Sequence, residues 1–435
     1  MHYALLIMHY KKIRTAFLIV VTMLTMNASA TNVETDREWY LAGEAMIVSI
    51  AADDAMIAYA ELCDTRGLAA GIAVSLKEGK GTGIIELPSD LHSGYYLLSA
   101  YTRGSSRATW RLVAVVNPLR KSIDDDIQWV STPDSSRVEP GGPATIPPDW
   151  EERQATLKTW VPETEGHIVK ARIRNIYDGH TFTASQILPS MSVIGKQIHY
   201  FEGKMEDDST AVFYTYGIQG HRPVVLSATL STGKSLPVEV ISPYVSLLPK
   251  RLPHLVFHYQ RSEVEARSID MQRHQMAITP AKRELQIGDH ADDTAVDGVP
   301  LDYDETLFGT KPDISYNLDE YRQFLTIREA LLEYVTFVVK RKIDGATRLF
   351  VLREQEHYNT ILPTLVLLDG MPVYDIERLL NYDARRLHHI NIYESQYTFG
   401  RGVYNGVLSF VTRSGRLTNY PTEPNVQYLV YDFPE

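Results

Sequence analysis

The chain has little cysteine, little net positive charge and few long apolar segments. Cys63 is the only cysteine among 435 residues, so an intramolecular disulfide is excluded and a buried core must hold the fold together. We expect Cys63 itself to be a small buried apolar side chain. Acidic residues outnumber basic ones and give a formal net charge of −11, which argues against nucleic acid and anionic membrane surfaces as partners.

Residues 1–30 have the three regions of a secretory signal peptide. Lys11, Lys12 and Arg14 precede the apolar run AFLIVVTMLTM, and the sequence NASA ends at Ala30 with small residues at the cleavage positions. The apolar run has about 11 residues and is too short for a transmembrane helix, which needs ~20. We therefore expect an exported protein without a transmembrane helix. We expect no lipid anchor either, because no cysteine follows the run closely.

Residues 31–117 and 161–248 both show short apolar alternations separated by turn residues. This pattern predicts two antiparallel β-sandwiches. Residues 118–160 are rich in Pro, Gly, Ser and Asp, and we expect a linker or long loop there. Residues 249–316 predict one amphipathic helix in QRSEVEARSIDMQRHQMAI, followed by an acidic flexible segment.

Residues 317–420 predict a compact α+β domain. Thr326-x-x-Glu329 is a capping box that begins a helix, and Asp344-Gly345 predicts the turn of a hairpin. The segments TLVLLDG, LHHINIYES and GVLSFVTRSG read as strands and DIERLLNYD reads as a helix. Residues 421–435 predict one last strand in VQYLVYDF, so the fold class is a multidomain, mainly β chain that also contains one α+β domain.

Two segments of the predicted sandwiches resemble a known family. Tyr40-Leu41-x-Gly43-Glu44 and the segment LPSDLHSGYYLLSAYTR resemble the macroglobulin-type domain near the N-terminus of many large envelope proteins of the Bacteroidetes. The segment TAVFYTYGIQGHRPVVLSATLSTGKSLPVEV resembles the second sandwich of the same proteins. The resemblance implies that both sandwiches are macroglobulin-like or Ig-like.

The α+β domain resembles the plug domain of TonB-dependent outer-membrane receptors. Leu368-Asp369-Gly370 matches a family strand that ends in Val-Asp-Gly, LHHINIYES matches the next strand, and Phe399 to Gly415 matches a glycine-rich turn and its final strand. A receptor would continue with about 22 barrel strands, which need well over roughly 200 residues, whereas 20 residues follow Gly415. We therefore expect a plug-like domain without a barrel, used as an interaction module and not as a pore gate; a truncated member of a longer family is the alternative.

Sequence motifs for catalysis or cofactor binding are absent. The chain has no Gly-x-Ser-x-Gly and no His-Glu-x-x-His, and Cys63 is not followed by the Cys-x-x-Gln pattern of a thioester. The sequence STGKS lacks the first glycine of a phosphate loop, which falls on Ala228, and a calcium loop around Asp293 fails at Ala295. His388 and His389 should point to opposite faces of a strand. We therefore expect neither enzymatic activity nor a cofactor nor a bound metal.

We assign candidate interaction residues to two loops of the plug-like domain that carry aromatic and charged side chains. Asp369-Gly370 and Asn405-Gly406 are dipeptides that favour tight turns. We expect the loops that flank them to be exposed. The candidates are Asp369, Gly370, Met371, Pro372 and Tyr374 in the first loop, and Tyr397, Arg401 and Tyr404 in the second.

These observations predict a non-enzymatic binding or assembly protein of a Gram-negative cell envelope, located in the periplasm or associated with the outer membrane. Its expected partner is another envelope protein, such as an outer-membrane transporter. The alternative is a glycan- or peptide-binding component of an outer-membrane nutrient-uptake system. A third hypothesis, an enzyme with a site scattered over the sandwiches, requires a pocket with converging carboxylates.

Overall fold

The computed structural model describes residues 31–434 except for residues 54, 106–107, 121–122, 131–136, 147–149, 195–198, 231–233, 279–309, 344, 353–361, 400–401, 416, 418–419 and 421–423. Several separate sheets and few helices confirm the prediction of a multidomain, mainly β chain. In the ranges given above, no helix combines the length and the apolar character that a membrane crossing requires. The predicted signal peptide and the acidic segment 279–309 lie outside the described residues.

The first sandwich pairs a three-stranded sheet, ordered β1-β3-β6, with a five-stranded sheet, ordered β2-β8-β7-β4-β5. Alternation along β3 places Met46, Val48 and Ile50 in the core between the sheets. Every residue of β4 is buried, so the outer face of the five-stranded sheet is covered as well. The strands are β1 Asn32–Thr35, β2 Trp39–Leu41, β3 Ala45–Ala51, β4 Ile57–Cys63, β5 Leu68–Ser75, β6 Lys80–Glu86, β7 Gly94–Tyr101 and β8 Thr109–Val116.

The segment 118–160, where we expected a linker or long loop, contains helices and short strands that form this cover. Its strands join β21 in a three-stranded sheet, ordered β10-β21-β9, and Ile127, Leu255 and Phe257 pack against Trp39 and Leu41. Strands of three residues whose partner lies more than a hundred positions away leave no periodic pattern in the sequence, which explains the difference. The elements are α1 Ile123–Asp126, β9 Ile127–Trp129, β10 Val138–Pro140, α2 Trp150–Leu157 and β21 Leu255–Phe257.

The helix predicted after residue 249 is present as α3, Arg261–Ile278. Among the described side chains of residues 261–273, Val264 and Ser268 are buried, and Val264 packs against the first sandwich. Arg267 lies over the ring of Trp39 at 4.0 Å and donates both to Oε1 and to Oε2 of Glu44. The helix is therefore attached by a cation–π contact and an ion pair more than by an apolar face.

The second sandwich pairs a four-stranded sheet, ordered β16-β17-β11-β20, with a sheet ordered β15-β14-β18-β19. Val169, Ala171, Met191, Phe213 and Leu226 form part of its core. Strands β12 and β13 make a separate hairpin. The strands are β11 His167–Ile173, β12 Ile176–Tyr177, β13 His180–Thr181, β14 Ile187–Val193, β15 His199–Glu202, β16 Lys204–Met205, β17 Thr210–Thr215, β18 Gly220–Leu230, β19 Ser235–Leu236 and β20 Val238–Ile241.

The C-terminal α+β domain has a five-stranded sheet, ordered β22-β27-β28-β25-β26, and a separate hairpin of β23 and β24. Helix α4 begins at the predicted capping box, in which the side chain of Thr326 accepts from the N–H of Glu329. Gly345 lies between the hairpin strands with φ of 80°, and Asp344 lies outside the described residues. The elements are β22 Ile314–Asn317, α4 Ile327–Tyr334, β23 Val338–Ile343, β24 Ala346–Val351, β25 Leu365–Leu368, β26 Met371–Pro372, α5 Ile376–Leu380, β27 Leu387–Phe399 and β28 Gly402–Thr412.

The last strand, β29 Gln427–Phe433, belongs to the second sandwich and not to the domain that precedes it. It pairs antiparallel with β18 from Gly220 to Leu226, and Tyr431 and Phe433 enter the core of that sandwich. The chain therefore leaves the sandwiches after α3, forms the C-terminal domain and returns. Two connections, one at each end, tie this domain to the rest of the molecule.

Phe433→Ala should destabilise the protein by about 3–5 kcal/mol, because it removes a core aromatic side chain that is 2% exposed. Val430→Ala in the same strand should cost far less, because Val430 is 47% exposed. Urea unfolding of both variants measures the difference. Equal losses would show that β29 is not part of the core of the second sandwich.

Candidate functional site

The first predicted interaction loop is buried, so the expectation that it is exposed is wrong. Asp369 is 2% exposed and Met371 is 1% exposed, and Gly370 and Pro372 are buried as well. Asp369 and Gly370 do form the expected tight turn, with φ of 47° and 83°. This turn, however, joins β25 to β26, whose outer side packs against β14 of the second sandwich.

The carboxylate of Asp369 has a structural role at this turn. It accepts from the N–H of Thr412 at 2.7 Å, from the hydroxyl of Thr412 at 2.6 Å and from the N–H of Leu417 at 2.9 Å. Burial raises the pKa of Asp369, and these hydrogen bonds oppose the rise. The residue fastens the ends of β25 and β28 to the segment that follows them.

The aromatic candidates contact the second sandwich and not the solvent alone. The hydroxyl of Tyr374 lies 3.3 Å from that of Ser190, and the hydroxyl of Tyr404 donates to Oε1 of Glu202 at 2.6 Å. Tyr397 and Tyr404 pack together against a cluster that contains Tyr200. Arg401 lies outside the described residues.

Asn405-Gly406, where we expected a tight turn, lies inside the long strand β28. Gly406 has φ of 79° and faces a register shift between Tyr393 and Gln396 of β27. A Cβ on Gly406 would lie 2.6 Å from the carbonyl oxygen of Tyr393. Gly406 therefore lies opposite the extra residue of a β-bulge in β27, where its positive φ and the close approach of that carbonyl both favour glycine.

A cleft of about 200 Å³ lies between the second sandwich and the C-terminal domain. One wall comes from the beginning of β14, from β15 and from the end of β18. The other comes from β24, the beginning of β25, β26 and α5, with Tyr404 of β28 beside them. The lining includes Leu188, Pro189, Tyr200 and Glu202 on the first wall, and Thr347, Arg348, Leu349, Thr364, Val373 and Tyr374 on the second.

The cleft is apolar over most of its lining, with polar side chains that are already engaged. The hydroxyl of Thr347 donates to Oε1 of Glu377 at 2.5 Å, and that of Thr364 donates to the carbonyl of Asn405 at 3.0 Å. Burial raises the pKa values of Tyr200, Tyr374 and Tyr404. These tyrosines are therefore neutral hydroxyls that orient the two walls.

A buried polar cluster joins the two sandwiches to β29, and sequence reasoning missed it. The carboxylate of Glu163 accepts from the hydroxyl of Tyr59 at 2.6 Å and lies 3.0 Å from Nη1 of Arg103 and 3.0 Å from Nδ1 of His167. Nε2 of His167 lies 2.8 Å from the hydroxyl of Tyr431. We call these five residues the junction cluster.

The junction cluster has one consistent arrangement of charge. Burial raises the pKa of Glu163, but hydrogen bonding from His167 and the charge of Arg103 outweigh it, so the net pKa is lowered. Burial lowers the pKa of His167 and outweighs the effect of Glu163. Glu163 and Arg103 are thus a buried ion pair, while neutral His167 donates from Nδ1 and accepts from Tyr431 at Nε2.

The only sequence signal for the junction cluster is the spacing Glu163-x-x-x-His167 at the border of a predicted linker. Arg103 follows a strand at a turn, and Tyr59 and Tyr431 belong to unrelated apolar strands. Their meeting depends on tertiary structure. No local pattern predicts it.

His388 and His389 do not point to opposite faces of β27, as we had expected. A register shift between Leu387 and His389 is a bulge, and it brings the two ring centroids to 4.3 Å. Nε2 of His388 also lies 3.6 Å from Oδ2 of Asp319. In the part of the chain that the structure describes, no three His, Cys, Asp or Glu side chains group as a metal site.

Comparison with known proteins gives only weak similarities. No family model matches the chain, and no curated protein matches it. Among solved structures, Escherichia coli alpha-2-macroglobulin activated by porcine elastase is 10% identical over 51% of this chain and 20% of its own, with a TM-score of 0.20. A Salmonella alpha-2-macroglobulin mutant is 9% identical over 54% and 15%, with a TM-score of 0.19.

A further solved structure, the BSP domain of a biofilm-associated protein, is 13% identical over 51% of this chain and 30% of its own, with a TM-score of 0.16. The chain thus spans about a fifth of the length of the first macroglobulin it matches. At such TM-scores these similarities carry no argument about the type of domain or about function, which must come from the structure itself.

The free energy of unfolding should fall as the pH drops below about 6.5, the ordinary pKa of histidine. The pKa of His167 is lowered in the folded state, so the unfolded chain binds its proton first and stability is lost as the pH falls. His167→Gln should be less stable at pH 7.5 and should show a flatter pH dependence between pH 6.5 and 5.

Urea unfolding at a series of pH values measures this dependence. His180→Gln, which changes an exposed histidine in a hairpin, should retain the slope of the unchanged protein. The same slope in all three proteins would contradict a buried neutral His167.

Proposed function

We propose that the protein is an exported, non-enzymatic binding protein whose ligand site is the cleft between the second sandwich and the C-terminal domain. Export is supported by the charged, apolar and small-residue regions of residues 1–30. A location in the periplasm or at the outer membrane belongs to this proposal. The cleft is the observation that carries it, because a concave and mainly apolar site between two domains is the usual setting of a ligand.

The envelope-partner hypothesis depended on two exposed loops that would contact another protein. Pro372 and Tyr374 instead line the cleft beside the second sandwich, and Met371 is buried. The geometry therefore favours the alternative, a ligand-binding component, over docking of an outer-membrane transporter through these loops. The plug-like domain would still act as an interaction module, since it supplies one wall of the site.

A non-enzymatic role is supported by the chemistry of the lining. The tyrosines are held neutral by burial, and the hydroxyls of Thr347 and Thr364 are bound to Glu377 and to the carbonyl of Asn405. Such a lining can exclude water and select a ligand by its shape. General acid or base chemistry would call for a group whose pKa lies near the working pH.

Leu188→Arg should abolish ligand binding. Leu188 lines the cleft and is 51% exposed, so arginine would place charge at the mouth without disturbing the core. Leu119→Arg is the matched control, since Leu119 is 69% exposed and belongs to the segment after the first sandwich.

The measurement is a thermal-shift screen of the mature protein against defined sets of short peptides, oligosaccharides and small metabolites. A ligand at about 100 times its Kd adds roughly 2.7 kcal/mol of stability, so a binder should raise the Tm of the unchanged protein and of Leu119→Arg but not that of Leu188→Arg. An equal shift in Leu188→Arg, or no shift with any set, would contradict the proposal.

A further inference from the structure

One edge of strand β24 carries backbone groups that its partner strand does not use. The N–H of Leu352 donates to the carbonyl of Phe337 at 2.8 Å, which fixes the alternation of the β23–β24 ladder. Residues 346, 348 and 350 then bond to β23, whereas Thr347, Leu349 and Val351 direct their N–H and C=O groups away from it. The N–H of Val351 points away from β23, since it donates to the hydroxyl of Thr364 at 3.0 Å.

This edge faces the cleft. Thr347 and Leu349 both line it, opposite Leu188 and Pro189 of the second sandwich. Among the described residues, β24 pairs with β23 alone, so the ladder can accept another strand on this side. An open strand edge is a template for pairing with an extended chain.

Four polar side chains of the cleft already have hydrogen-bond partners. Thr347 donates to Glu377 and Thr364 donates to the carbonyl of Asn405. Tyr404 donates to Glu202, and the hydroxyl of Tyr374 lies 3.3 Å from that of Ser190. Recognition of a polar ligand therefore falls on the main chain of β24. Its donors and acceptors alternate at the spacing of a β-strand, which an extended peptide matches and a sugar does not.

The size of the cleft also indicates a peptide. Its volume of about 200 Å³ lies below the ~300–1,000 Å³ of pockets that enclose a whole small-molecule ligand. Such a space accommodates one apolar side chain of a longer chain whose backbone continues outside. Leu188, Pro189 and Val373 supply apolar walls for that side chain.

We propose that the cleft binds an extended peptide, which adds to the free edge of β24 through the main-chain groups of Thr347 and Leu349 and inserts one apolar side chain against Leu188 and Val373. The inference rests on the proposed function, in which this cleft is the ligand site. The peptide is a separate chain with an exposed apolar residue and no requirement for net charge.

Thr347→Pro tests the main-chain contact. Proline removes the N–H of Thr347, which β23 does not use, so the β23–β24 ladder stays intact, and proline is tolerated where the N–H points away from the ladder. Lys342→Pro is the matched control, because Lys342 is exposed, pairs with Thr347 across the hairpin and directs its own N–H away from β24 on the opposite edge. The melting temperature of each variant reports whether it has folded.

The probe is a library of N-acetylated, C-amidated hexapeptides with one apolar residue at each position in turn, and fluorescence anisotropy of the mature protein gives the Kd. Lys342→Pro should bind the selected peptides as the unchanged protein does. Thr347→Pro should bind them roughly tenfold more weakly, because a peptide carbonyl loses its donor. A peptide that is N-methylated at its central residues should lose affinity for the unchanged protein as well, and this decides the question if Thr347→Pro does not fold.

Three outcomes would overturn the inference and separate it from the proposed function. Equal affinity of Thr347→Pro and Lys342→Pro, with full binding of the N-methylated peptide, would exclude strand addition. A second outcome is that no peptide binds, while a sugar or metabolite binds and Leu188→Arg abolishes this binding. This outcome would support the cleft as the ligand site and exclude a peptide as its ligand. Peptide binding that Leu188→Arg leaves unchanged would exclude the cleft and both proposals with it.

Discussion

The buried carboxylate of Glu163 is the constraint on which the arrangement of the molecule depends. An ionised group in a protein interior costs several kcal/mol unless charges and hydrogen bonds compensate it. Here the compensation comes from Tyr59 and Arg103 of the first sandwich and from His167 of the second. Tyr431 of β29 completes the cluster through His167, so three separate parts of the chain must be in place at once.

Strand β29 links the junction cluster to the C-terminal domain, because it follows that domain in the chain and contains Tyr431. Its pairing with β18 and the insertion of Phe433 into the core fix where the chain must return. This placement of the C-terminal domain also buries the turn at Asp369-Gly370, because it packs β26 against β14. Because both walls are positioned in this way, the cleft is present before any ligand binds. A preformed site avoids the entropic cost of ordering its residues on binding.

The sequence predicts those features that depend on neighbouring residues. Alternation identifies the two sandwiches, Thr326 and Glu329 mark the beginning of α4, and Asp369-Gly370 is a turn as expected. The burial of that turn could not be predicted, because turn residues are the same whether solvent or another domain covers them. The three-residue strands of the covering sheet and the junction cluster depend on partners distant in sequence, and for them no local pattern exists.

The central claim is that the second sandwich and the C-terminal domain form one rigid unit around a preformed cleft. The most direct test is the distance distribution between spin labels in the double variant Ile176→Cys, Leu332→Cys, measured without ligand. Both sites are exposed, at 52% and 83%, whereas native Cys63 is fully buried and burial raises the pKa of its thiol, so only the new cysteines react. The account predicts one narrow distribution, and a broad or two-peaked distribution would contradict it.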